Sequence, residues 1–347
     1  MERLRAELDG LGVASFLVSN PINVRYLSGF ESSNAFVLVK HKQVLLLTDG
    51  RYIEAARAVE RVEPVLVDRE FTPGVAAALP GIADGPMAFE ADNLTFARYS
   101  VLAESGLDLV PTNAIIERLR AVKEPAELEE IRRASRIAEA VYERLADERI
   151  VGRTEREVAW WFEQALHEEG ADGLAFDVTI ASGPNAALPH HHPGDREIGP
   201  GETVIVDAGA RVDGYCSDCT RTFATGPLPE ELRRAYAACR SAQETALAEV
   251  HAGADARGLD DIARREIEDA GFEVLHGLGH GVGLEVHELP VLRQTAEDAL
   301  EPANVVTVEP GVYLAGLGGV RIEDLVVVTE NGAEVLTPFT KELLTLD

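Results

Sequence analysis

The stretch Thr203-Val-Ile-Val-Asp207-Ala-Gly-Ala-Arg-Val-Asp213-Gly214-Tyr-Cys-Ser-Asp218-Cys-Thr-Arg-Thr-Phe223 constrains the fold more than any other part of the chain. An Asp-Gly pair between two strand-like runs signals a two-residue hairpin turn, because both central positions need a positive φ. With Asp213 and Gly214 as the turn, Val212 pairs with Tyr215 and Asp207 lies opposite Thr220. Asp218 is then a diagonal neighbour of Asp207 on the same sheet face, about 7–8 Å away and within side-chain reach. Two carboxylates aimed at one spot repel unless something positive sits between them. A divalent cation is the natural occupant; a pair of ordinary solvated aspartates is the plainer alternative. A β-bulge in either arm would change the phase.

Other segments repeat the theme. His276-Gly-Leu-Gly-His280-Gly-Val-Gly-Leu-Glu-Val-His287-Glu288 carries three of the nine histidines within twelve residues, interleaved with four glycines. Glycine admits close backbone approach to a ligand, and neutral imidazole is the commonest nitrogen ligand for metals. Val308-Glu309-Pro310-Gly311-Val312-Tyr313 and Arg321-Ile322-Glu323-Asp324-Leu325 each place an acid inside an apolar, strand-like run. Such an acid is costly to bury unless paired or metal-bound. Asp207, Asp218, His280, Glu309 and Glu323 form a mostly hard-oxygen set that suits Mn or Co better than a thiolate-preferring metal. Four acids in one pocket need more than one cation, so a dinuclear site is the economical reading. The run His190-His191-His192 is either a surface metal scavenger or a loop serving the same site. Cys216-Ser-Asp-Cys219 is a lone C-x-x-C whose cysteines would face opposite ways in a strand, which argues against a zinc knuckle or redox pair.

Organisation and composition fit an enzyme of two domains. At 347 residues the chain exceeds the soft prior of about 150 per domain. Residues 1–118 alternate helical and strand-like patterns, with a hairpin around Lys40-His41-Lys42, and read as an α/β domain without a catalytic constellation. Residues 119–347 open with Pro125 at the first turn of a helix and continue with a capping box at Thr154-x-x-Glu157. They hold two successive helix–helix–strand–strand units, an α+β domain of two similar halves. The net charge of −28 disfavours nucleic acid as a partner. The N-terminus lacks a signal-peptide core, and the longest apolar runs are strand-length, so no membrane partner is expected. Three cysteines are too few for a disulfide framework. A cytoplasmic location is expected.

Taken together, Asp207-Ala-Gly, Asp218-x-x-Arg-Thr, the glycine-rich His280 segment ending in His287-Glu288, Glu309-Pro-Gly-x-Tyr313 and Arg321-x-Glu323-Asp resemble the pita-bread metallopeptidases. That group includes prolidase, aminopeptidase P, methionine aminopeptidase and creatinase. The likeness extends over nearly the whole chain. Tyr26-Leu-Ser-Gly-Phe and Leu47-Thr-Asp-Gly-Arg51 look like the N-terminal domain of the proline-specific branch. The resemblance implies a pita-bread catalytic domain holding two divalent ions, manganese first and cobalt or zinc as alternatives. Asp207, Asp218, His280, Glu309 and Glu323 would be the ligands, with Asp218 and Glu323 bridging. It also implies Glu309 as proton shuttle, His287 and His190 as substrate contacts that steady the oxyanion, and His276, Tyr313 and Arg321 as substrate-binding or supporting residues. Short peptides with proline at the second position would be the substrates, and a homodimer the assembly. Many prolidases resemble one another in having Arg just after the His-Glu-x-Pro run. Here Val291 stands at that position, with Arg293 the nearest arginine. That departure favours cleavage of the N-terminal Xaa-Pro bond of longer peptides, as in aminopeptidase P. An Xaa-Pro dipeptidase is the alternative, and a catalytically inactive binding module of the same fold is the reading of another class.

Overall fold

A computed structural model describes residues 2–347 of the chain. It divides into two compact units, one ending at Arg120 and the other Ala121–Asp347. The first is built on a mixed six-stranded sheet in the order Glu63–Leu66, Val44–Thr48, Ala35–Lys40, Ser15–Val18, Met87–Glu90, Leu109–Thr112. Its central strands are apolar on both faces. Phe16, Val18, Val37, Val39 and Leu46 pack into one core, while Leu17, Phe36, Leu38, Leu45 and Leu47 pack into another. Strands covered on both sides read as continuous apolar runs, not alternating ones, which is why 35–39 and 43–48 are so uniformly hydrophobic.

The second unit opens with the helix Pro125–Leu145, started by Pro125 and a Glu124/Glu127 capping box. Its buried face is Ile131, Ala134, Ala138, Val141 and Leu145, at helical spacing. The helix Glu155–Glu168 follows, with the expected Thr154/Glu157 capping box. After short strands come two more helices, Glu230–Ala248 and Ala256–Asp269, and then the remaining strands. Each helix pair is thus followed by antiparallel sheet, in agreement with the α/β plus α+β architecture read from the sequence. Among the described residues, no helix is long and apolar enough to cross a membrane.

The hairpin register matches the Asp-Gly turn. Val212 pairs with Tyr215 and Thr220 with Asp207, while Asp213 and Gly214 have φ of 44° and 77°. The strands are less continuous than the sequence suggests. The stretch 203–224 breaks at Gly209 and again at Ser217-Asp218, so its inner and outer parts join different sheets. The stretches 304–313 and 319–329 each break in two. Val305–Val308 and Asp324–Thr329 lie in a five-stranded sheet, whereas Gly311–Leu314 and Gly318–Arg321 form a separate ribbon. The breaks fall at Glu309-Pro310 and Ile322-Glu323. Pro310 has no N–H to give to a ladder, and the acids beside the breaks leave their ladders.

The helix Pro125–Leu145 braces the strands on either side of the Gly209 and Ser217-Asp218 breaks. Tyr142 is fully buried, and its hydroxyl reaches the carbonyls of Val206 and Cys219 on the two facing strands. At Gly209 a Cβ would lie 1.9 Å from the Ser217 carbonyl oxygen, so no other residue lets the two arms approach this closely. Gly209→Ala is expected to destabilise the protein by about 1–3 kcal/mol, the usual cost of overpacking. A urea-unfolding midpoint equal to that of the parent protein would contradict this.

Candidate metal centre

Strand interruptions bring three of the predicted acids to Asp207. Asp207 lies within the strand Thr203–Ala208, opposite Thr220, and Asp218 immediately precedes Cys219–Ala224. Glu309 follows Val305–Val308, and Glu323 lies between Gly318–Arg321 and Asp324–Thr329. His280 is on the short strand Gly279–Gly281. Asp218, His280 and Glu323 each offer one ligand atom, all within 4.8 Å of one another. Glu309 adjoins them, its Oε1 3.2 Å from His280 Nε2. Asp207 is held differently: its Oδ2 accepts from Arg321 Nη2 at 2.6 Å.

The hydrogen bonds fix how each group is presented. His280 Nδ1 donates to the Gly281 carbonyl at 3.1 Å, which leaves Nε2 facing Glu309 and Asp218. Thr220 Oγ1 accepts from Arg321 Nε at 3.2 Å and donates to Glu323 Oε2 at 2.8 Å. Arg321 also donates Nη1 to the Tyr313 hydroxyl at 3.0 Å, and Tyr313 donates to His276 Nε2 at 2.9 Å. His276 Nδ1 in turn bonds the Gly277 carbonyl at 2.8 Å. His276, Tyr313, Arg321 and Asp207 therefore form one continuous chain. Two buried oxygens, Asp207 Oδ1 and Glu323 Oε1, have no hydrogen-bond partner. Buried carboxylate oxygens without donors are expensive, and a hard divalent cation is the partner that such a set fits.

Electrostatics point the same way. Burial, reinforced by the neighbouring carboxylates, pushes Asp218 and Glu323 well above the usual carboxylate range. Burial also raises Asp207, against the opposing pull of Arg321. Burial works against charge on both members of the His280–Glu309 pair, yet their contact wins: Glu309 falls to about 2 and His280 rises to about 9. His287 and His190 are both exposed. The His287 ring lies 4.4 Å from that of His280, edge-on. Burial and the adjacent His280 lower its pKa, and His190 contributes in the same direction.

Asp218, His280, Glu309 and Glu323 thus lie together, Asp207 is joined to them through Arg321 and Thr220, and His287 packs on His280, whereas His190 is related to the cluster only as a neighbour of His287. Sequence reading assigned no role to Thr220, which links Arg321 to Glu323; its place opposite Asp207 was the available signal. It also passed over Glu155, a buried acid hidden in a helix start, and Lys123, which reaches Glu288 beside His287 at 3.3 Å. Nothing in their local sequence marks those long-range contacts.

Residues 129–330 match the model of metallopeptidase family M24, and residues 1–122 match the creatinase/prolidase N-terminal domain. The chain belongs to family M24. The M24 chain is 34% identical to the Xaa-Pro dipeptidase of Pyrococcus furiosus, over 99% of both proteins. Its fold superposes on the Xaa-Pro dipeptidase structure from Bacillus anthracis with a TM-score of 0.96, at 36% identity, covering 99% of this chain and 98% of that one. An X-Pro aminopeptidase structure from Thermotoga maritima gives 0.88 at 32% identity, covering 98% of this M24 chain and 100% of that one. The family and the buried ligand group together make this a metal-dependent peptidase using divalent cations.

Cation loading of this M24 site should release protons. Metal ligates only the deprotonated groups, and without it His280 keeps its proton up to about pH 9, with Asp218 and Glu323 also held toward their protonated forms. Apparent affinity should therefore rise with pH until that range. Calorimetric titration of Mn(II) at pH 7 in two buffers of different ionisation heat should give different heats; identical heats would contradict the charge states described here.

Proposed function

We propose that this protein is an Xaa-Pro dipeptidase with a dinuclear manganese site, in which Asp207, Asp218, His280, Glu309 and Glu323 hold the two ions. The observation that carries the reading is the grouping of buried Asp218 and Glu323 with His280, joined by half-buried Glu309 and Asp207 and carrying two orphaned oxygens, in a chain aligned with an Xaa-Pro dipeptidase over 99% of both proteins. The relatives favour the dipeptidase over the aminopeptidase P that Val291 suggests. The aminopeptidase remains the second reading on one observation: Val291 pairs with His280 in the antiparallel ladder and offers a substrate carboxylate no charge. The inactive module is disfavoured, because a binding role gives no reason to bury acids without partners. In this reading residues 119–347 are the catalytic domain and 1–118 the N-terminal one. The three buried cysteines, none of them in a disulfide, suit a reducing cytoplasm.

Bound divalent cations supply Lewis acidity and lower the pKa of water toward neutrality. The chain's own residues supply the rest. Arg321 and Thr220 fix the orientations of Asp207 and Glu323, two of the carboxylates that would hold the ions. Glu309, beside His280, would take a proton from the attacking water and pass it to the leaving imino nitrogen of proline, which arrives without an N–H of its own. His287, kept neutral by its surroundings, and His190 contact the substrate carbonyl and steady negative charge as it develops. His276 and Tyr313 line the adjoining wall, their polar atoms already engaged with each other. Proline suits such a wall because its ring fixes φ.

Substrate length decides between the readings. Manganese-loaded enzyme should cleave an Xaa-Pro dipeptide in preference to the matching Xaa-Pro-Yaa tripeptide, and chelation should abolish both activities. Faster cleavage of the tripeptide would establish the aminopeptidase instead. His287→Ala should lower kcat by about 100-fold, the scale of losing one oxyanion donor, with bound manganese unchanged by elemental analysis. Unaltered kcat would remove His287 from the chemistry.

A further inference from the structure

Of the three consecutive histidines, the middle one is bonded to a residue outside the metal cluster: His191 Nε2 lies 2.7 Å from Oε2 of Glu155. Glu155 occupies the first turn of the helix Glu155–Glu168, and its side chain is fully buried. Its other donors all come from the segment around the histidines. Ser182 gives its N–H at 2.9 Å and its hydroxyl at 2.8 Å, Asn185 gives its amide at 3.0 Å, and Gly194 gives its N–H at 3.3 Å. Burial alone would raise the Glu155 pKa, but the bonds from His191 and Ser182 bring it below its ordinary value. One buried carboxylate thereby gathers both ends of the loop 182–194.

The same loop is tied on the opposite side. The Pro189 carbonyl accepts from Arg321 Nη1 at 3.3 Å, and Arg321 is the residue that grips Asp207. His190 therefore sits between two anchors one residue away on either side, Arg321 at Pro189 and Glu155 at His191. Its own side chain is exposed and near His287. A side chain on a loop has the reach to miss its target by an ångström unless the backbone beside it is pinned.

We infer that Glu155 and His191 are positioning residues: the Glu155–His191 bond latches the loop so that His190 is presented to substrate at the metal cluster. This rests on the role given to His190 under the proposed function, and the experiment separates the two.

His191→Ala, His191→Gln, His190→Ala and the double variant H190A/H191A would be compared. Amide exchange across 183–194 would be followed in metal-free protein, and kcat and KM for an Xaa-Pro dipeptide in manganese-loaded protein. Exchange should quicken in H191A and return in H191Q, whose amide nitrogen can still donate to Glu155. H191A should lower kcat/KM on the order of tenfold in the parent protein but by less than about twofold once His190 is already gone. Equal losses in both backgrounds would overturn the inference, as would unchanged exchange. An H190A enzyme as active as the parent would sink the role of His190, and this latch with it. Absence of peptidase activity with every metal tried would sink the proposed function alone and leave the exchange comparison to decide whether the latch exists.

Discussion

Four carboxylates, two buried and two half-buried, repel one another, and holding them together before any cation arrives is the constraint on which the catalytic unit depends. Coulomb repulsion at these separations rises steeply as the local dielectric falls, so the acids cannot simply be left to relax. The protein meets this with His280 beside Glu309 and with one guanidinium. Arg321 grips Asp207, reaches Glu323 through the Thr220 hydroxyl, and is itself seated on Tyr313 and Pro189. The remaining repulsion stays as raised proton affinity and two orphaned oxygens, which is the state a cation would relieve.

Behind the ligands, charge is used again as mechanical support. Arg221 is buried against Asp324, the neighbour of Glu323, and also reaches the Glu323, Thr337 and Phe339 carbonyls. Asp324 further accepts from Lys341 and Gln243. Lys123 and Glu288 form a second buried pair directly beside His287. The chain has only four lysines among 32 basic residues, and two of them serve carboxylates adjacent to site residues. Truncating one partner of such a pair would leave a buried charge alone, which costs more than the pair contributes. The pattern is one of rigid second contacts around a site whose inner groups are electrostatically strained.

Much of the site was legible because its residues are chemically out of place locally. Asp207, Glu309 and Glu323 are acids within apolar runs, and the Asp213-Gly214 turn sets the register that puts Asp207 across from Thr220. His280 and His287 stand out through glycine density. Glu155 and His191 did not stand out. An acid in the first turn of a helix is expected there for its own sake, and a middle histidine of three carries no mark of where it points. The strand breaks were equally hidden, since the runs 304–313 and 319–329 are apolar enough to read as unbroken.

The sequence by itself determined the two-part α/β and α+β architecture, the hairpin, and which side chains had no reason to be buried except a shared ligand. These follow from periodicity, turn chemistry and desolvation cost, all of which act over a few neighbouring residues. Only the tertiary structure decided that Arg321 belongs to Asp207, that Thr220 joins the two halves of the ligand set, and that Glu155 holds the loop beside His190. Those pairings span 27 to 114 positions in sequence. They arise when strands break and helices dock, and no local preference encodes which distant donor will fill a buried acceptor.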